Sequence, residues 1–178
     1  MEKRSILYRG EQTKAIHAGE FPDPITGASA PNIVMSTTFV VETDTGFSVE
    51  GMDENDAWVY TRWGNPTIRQ LEEKLAAMED AETAIAFASG MSAIVALLFH
   101  LLKSGDHAVI SDVAYAALSE ISNELIPDLG IEISKVNTSD IDAVSAAIRT
   151  NTKLVYVETP CNPILRLTDI AAVAAIAH

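Results

Sequence analysis

Apolar positions keep no sustained period through residues 1–60 and then settle into regular alternation. The first stretch carries Pro22, Pro24 and Pro31 among several glycines. It is expected to be an extended arm, of the kind that packs on another subunit or on the body of the protein and so points to an oligomer. From Asn65 the picture changes. Asn65 followed by Pro66 predicts a helix start, because the Asn side chain can cap free N–H groups and proline suits the first helical position. Ile68, Leu71, Leu75 and Met78 then recur at three-and-four spacing through residues 68–80, with charged residues between them.

Beyond that helix the pattern predicts a strand over 83–88, a helix over 89–102, a break at 103–106 and a strand over 107–111. The alternation continues with a helix over 115–126, a strand over 131–136, a helix over 140–148 and a strand over 153–158. Strands separated by helices of this length predict parallel pairing with right-handed crossovers, so the expected class is α/β with a mostly parallel sheet. The last segment, 167–178, has Thr168 or Asp169 as a cap and an apolar stripe of Ile170, Val173, Ala174 and Ile176. No glycine, proline or strand follows it, so further polypeptide is expected after His178.

Charge narrows the partners. Lys and Arg total 12 against 25 Asp and Glu, a formal net charge of −13 that repels nucleic-acid backbones. An anionic ligand would need a local nest of N–H groups and a well-placed arginine. Cys161 is the one cysteine, which rules out an intrachain disulfide, favours a cytoplasmic reading and leaves packing as its expected role. His17, His100, His107 and His178 lack the paired spacing that zinc needs, so no metal site is expected. No apolar run reaches membrane-spanning length.

Three segments hold candidate chemistry. Ser89, Gly90 and Met91 sit where an apolar run meets an apolar helix. That junction is either an ordinary tight turn or a phosphate site made by outward N–H groups and the helix dipole. Tyr60 and Arg62 lie two apart in extended chain and can point to one side, toward a phosphate or toward a surface carboxylate. Glu158 and Asn162 follow a strand, and ligands gather at the carboxyl ends of parallel strands. Neither a dinucleotide fingerprint nor a P-loop is present.

In this order, YTRWGNPT (60–67), FASGMSA (87–93) and VETPCNP (157–163) resemble the Cys/Met-metabolism family of pyridoxal-phosphate enzymes. TKAIHAG (13–19), the turn TGA (26–28) and STTF (36–39) extend the resemblance over essentially the whole chain. The family includes methionine γ-lyase, the cystathionine lyases and synthase, and the O-acyl-homoserine sulfhydrylases. The resemblance implies an aspartate-aminotransferase-like fold of type I, with residues 1–60 as the arm and 61–178 as the first part of the large cofactor domain. It implies pyridoxal 5'-phosphate as cofactor and an amino acid as substrate.

The same resemblance implies that Tyr60 and Arg62 reach the cofactor phosphate of a neighbouring subunit, while Ser89, Gly90 and Met91 hold it from within. Tyr115 matches a tyrosine that stacks on the pyridine ring and moves a proton. Glu158 and Asn162 match residues near the ring. A homo-oligomer built as a dimer of dimers is expected, or a complementing C-terminal chain.

Two departures bear on the reaction. Tyr115 is followed by Ala116, Ala117 and Leu118 where the family has a glycine-containing turn, and Leu118 is expected to alter access for the substrate. The lysine that would hold the cofactor covalently has no counterpart among Lys3, Lys14, Lys74, Lys103, Lys135 and Lys153, each of which reads as a surface charge.

Overall fold

Side-chain caps fix four of the helix starts, two of them, at Asn65 and Asp169, read from the sequence. The computed structural model describes residues 10–41 and 58–178. The chain divides into two compact units, Met1–Ala86 and Phe87–His178.

The first unit holds α1 (Glu11–His17) and α2 (Pro66–Met78), which pack together. The Asn65 side chain accepts from the Thr67 N–H at 2.9 Å, capping α2 ahead of Pro66. Gly19 follows α1 with φ +72°, and a Cβ there would stand 2.5 Å from the backbone oxygen of Gln70. Only glycine allows both that conformation and that approach. Lys14 pairs with Asp80 and Lys74 with Glu20 along the same seam. Thus α1 is helical inside a stretch that was expected to be irregular. The remainder of that stretch, residues 1–9 and 42–57, lies outside the described residues.

The second unit runs α3 (Gly90–Leu101), β1 (His107–Ser111), α4 (Ala116–Asn123), α5 (Leu125–Asp128), β2 (Glu132–Val136), α6 (Ile141–Ala147), β3 (Thr152–Tyr156) and α7 (Ile170–Ala177). All pairing is parallel, in the order β2-β1-β3. This is the expected α/β arrangement. Side chains at Asp140 and Asp169 cap α6 and α7 by accepting from Ala143 and Ala172. The predicted helix over 115–126 is broken at Glu124 (φ −115°, ψ −68°), because Pro127 has no N–H to donate one turn back.

One core forms where α3, α4 and α5 cover the sheet through Leu98, Leu102, Ala108, Leu118, Ile126 and Ile131. Strand alternation turns His107 and Ser134 to the other face, and a register shift in β3 between the partners of His107 and Ala108 brings Thr152 beside them. There the buried His107 ring bridges three strands, with Nδ1 2.7 Å from the Thr152 hydroxyl and Nε2 2.9 Å from the Ser134 hydroxyl.

The strand expected over 83–88 is not formed. An apolar run becomes a strand only when a neighbour completes its ladder. Here the Ala86 N–H donates to the Glu72 carboxylate at 2.8 Å instead, and Ile85 stays 71% exposed.

Candidate functional site

Helix α3 returns to β1 through a tight turn in which the Asp106 N–H donates to the Lys103 carbonyl at 2.9 Å. Twelve helical residues span about 18 Å and five strand residues about 16 Å, so the start of α3 lies toward the carboxyl edge of the sheet. Met91 packs on the same core as Ala114 and Tyr156, in keeping with that placement. At the helix start the Ser89 hydroxyl accepts from the Ser92 N–H at 3.1 Å. A Cβ on Gly90 would meet nothing within 4 Å, so space before this helix end is open to a ligand. Unbonded N–H groups and the helix dipole suit an anion there.

The loops after β1 and β3 meet at this edge. Tyr115 directly precedes α4, with its side chain 47% exposed and free to lie against a planar ring. Its N–H donates to Glu158 Oε2 at 3.0 Å, and the Asn162 N–H donates to Glu158 Oε1, also at 3.0 Å. Cys161 is buried in the turn that follows, where Leu165 donates to its carbonyl at 2.7 Å. Burial, and then the Glu158 charge, push the Tyr156 phenol above its ordinary 10.0. Tyr156 therefore stays protonated in its core position and is not a candidate base.

Tyr60 and Arg62 belong to the first unit, where residues 59–61 pair antiparallel with 37–39. Arg62 Nη2 donates to the Tyr60 hydroxyl at 2.9 Å, and the guanidinium lies 5.2 Å from the centre of the Tyr60 ring. No carboxylate among the described residues pairs with Arg62. The surface ion pair that its sequence position allowed is not formed among the described residues.

Sequence-derived site residues thus fall into two groups. Ser89, Gly90, Met91, Tyr115, Glu158 and Asn162 lie in the second unit, and Tyr60 and Arg62 lie together in the first. One expectation fails: Leu118 does not face a substrate space but is wholly buried in the core beside Leu98 and Ile126. It heads the inward stripe of α4, with Ile121 and Ser122 following at three-and-four spacing. Sequence reading also missed Asp112 and Arg166, whose side chains pair across the two loops. A lone arginine just past the Pro163 turn was the available signal. Among the described residues no cluster could hold a metal ion, and no helix is long and apolar enough to cross a membrane.

Within the second unit, the N–H groups at the start of α3 suit the phosphate of an aromatic cofactor and the exposed Tyr115 phenol suits its ring. L-methionine gamma-lyase of Porphyromonas gingivalis is 40% identical over 178 residues, which is 100% of this chain and 44% of that protein. Cystathionine gamma-synthase of Mycobacterium bovis is 41% identical over 94% of this chain and 41% of its own length. The crystal structure of metB from Corynebacterium glutamicum superimposes with a TM-score of 0.84 at 41% identity, covering 94% of this chain and 42% of that one. The chain therefore spans less than half the length of the curated relatives it matches. The sequence profile of the Cys/Met metabolism PLP-dependent enzymes matches residues 12–178, and the chain belongs to that family.

Proposed function

We propose that the protein to which this chain contributes is a pyridoxal-phosphate-dependent carbon–sulfur lyase, removing a thiol from a sulfur amino acid by γ- or β-elimination. The observation that carries this reading is one sheet edge that gathers an open helix N-terminus at Ser89 and Gly90 with the exposed Tyr115 ring and Glu158. When bound, the cofactor supplies an electron sink for cleavage next to the substrate amino group. The chain's residues do the rest. Backbone N–H groups of Gly90 and Met91 bind the phosphate, Tyr115 covers the ring, and its phenol oxygen passes a proton toward the departing sulfur. Asn162 lies beside the ring, held by its N–H to Glu158.

Arg62 and Tyr60 complete the phosphate site of a neighbouring subunit in a dimer of dimers, a reading supported by their side chains meeting at 2.9 Å. The lysine that anchors the cofactor comes from polypeptide outside this chain, whether a continuation or a complementing chain. The protein works in the cytoplasm on a small amino acid. A second reading, γ-replacement of the cystathionine synthase or O-acyl-homoserine sulfhydrylase type, is favoured by the 41% identity to cystathionine gamma-synthase.

Equilibrium dialysis of the full chain against pyridoxal phosphate tests the cofactor site. Pyridoxal phosphate should bind, pyridoxal without phosphate should bind at least about tenfold more weakly, and Arg62→Ala should weaken the phosphate ester only. Equal affinity for both compounds would remove the phosphate site. Release of a thiol from methionine by the complete protein, without an added acceptor, separates elimination from replacement.

A further inference from the structure

Tyr115 lies in a loop with no regular structure of its own between β1 and α4, and two groups of contacts tie that loop to the one after β3. Glu158 is the first. Its two carboxylate oxygens accept one N–H each, from Tyr115 and from Asn162, both at 3.0 Å. A carboxylate is the side chain suited to this, since it has acceptors on both oxygens and no proton to turn toward either donor.

Arg166 is the second. Its guanidinium donates to Asp112, three residues before Tyr115. Both ends of that bond are anchored. The Arg166 carbonyl accepts from the Cys161 N–H at 3.0 Å, and the Asp112 N–H donates to the Val136 carbonyl at 2.8 Å, at the end of β2. The second contact therefore links the loops after β1 and β3 to the end of β2.

We propose that Glu158 and the Asp112–Arg166 pair are positioning residues, a two-point clamp that sets the main chain of Tyr115 at the sheet edge. This rests on the reading above that Tyr115 serves the cofactor ring. The two contacts differ in what they fix. Glu158 holds the Tyr115 backbone directly, whereas Arg166 holds the approach to it and the Cys161–Arg166 turn together.

Amide hydrogen exchange of the full chain, without cofactor, tests the clamp. In Glu158→Gln one oxygen becomes an N–H donor that opposes one of the two amides. Tyr115 or Asn162 should then exchange about tenfold faster while Ala108, Val109 and Ile110 in β1 keep their rates. Arg166→Met should speed exchange at Tyr115, and Arg166→Lys should restore most of it. Unchanged rates at Tyr115 and Asn162, or acceleration spread equally through β1, would overturn the clamp.

The positioning role has its own readout, the induced circular dichroism of added pyridoxal phosphate. It should fall by more than half in Glu158→Gln and Arg166→Met and recover in Arg166→Lys. A full signal from variants whose Tyr115 amide has been freed would overturn that role. If the unaltered chain binds no pyridoxal phosphate, the proposed function fails and the positioning role with it, while the exchange rates still decide whether the clamp exists.

Discussion

Thr138 and Thr168 meet hydroxyl to hydroxyl at 2.7 Å in a buried position, joining the loop after β2 to the segment that leads into α7. Each is the other's partner, so removing one strands the other. Thr138→Val should destabilise the chain by about 1–3 kcal/mol, the cost of a buried hydroxyl without a partner. Thr138→Val combined with Thr168→Val should recover much of that loss in urea denaturation. Simple addition of the two single effects would show that the hydroxyls are not coupled.

His107 makes stability depend on pH. Burial, and then the nearby Arg149 charge, lower its pKa from 6.5, with Glu132 opposing. A folded state that resists protonation binds fewer protons than the unfolded chain just below pH 6.5. The contribution is complete above that pH and declines as pH falls from 6.5 toward the lower folded value. Thermal melts from pH 7.5 down to 5 should show this slope, and His107→Gln should flatten it.

Leu118→Ala should cost about 2–5 kcal/mol, as expected for a wholly buried leucine. Affinity for pyridoxal phosphate, measured well below the melting temperature, should stay within about twofold of the unaltered chain. A large loss of affinity with unchanged stability would return Leu118 to the substrate side.

Leu165 holds φ +55° at the closing position of the Cys161 turn and is 72% exposed. A branched aliphatic side chain is strained in that region by about 1–2 kcal/mol, and asparagine tolerates it better. Leu165→Asn should raise the denaturation midpoint, by up to about 1 kcal/mol in stability. A lower midpoint would mean that the leucine side chain contributes packing that outweighs its backbone cost.

Local chemistry was the readable part of the fold. Asn65 and Asp169 each cap the helix that follows, as their positions predicted, because a cap is decided within three residues; Ser89 and Asp140 do the same without having been marked as caps. The three strands of the sheet were visible for a similar reason, being short segments rich in apolar and β-branched residues between helical patterns. What escaped the sequence depends on distant partners. Residues 83–88 look like β1 in composition, yet β1 has a neighbour on each side and 83–88 has none among the described residues.

The site follows the same rule. Gly90, Tyr115 and Asn162 could be marked from motifs, whereas the bond from the Tyr115 N–H to Glu158 spans 43 positions and that from Arg166 to Asp112 spans 54. Single-sequence patterns hold no record of such pairs. In the sequence His107 is one of four scattered histidines without metal spacing. Only the register of three strands shows that both its ring nitrogens are engaged.

Because Arg62 already rests on the Tyr60 hydroxyl, its long side chain has surrendered much of its rotational freedom before any anion arrives. Capture of a phosphate, as proposed, would then lose less entropy than it would with a freely swinging cation. A lysine at position 62 would keep the charge but lack the flat fork that can lean on the phenol and still present a second edge. Attraction would survive such an exchange, and readiness would not.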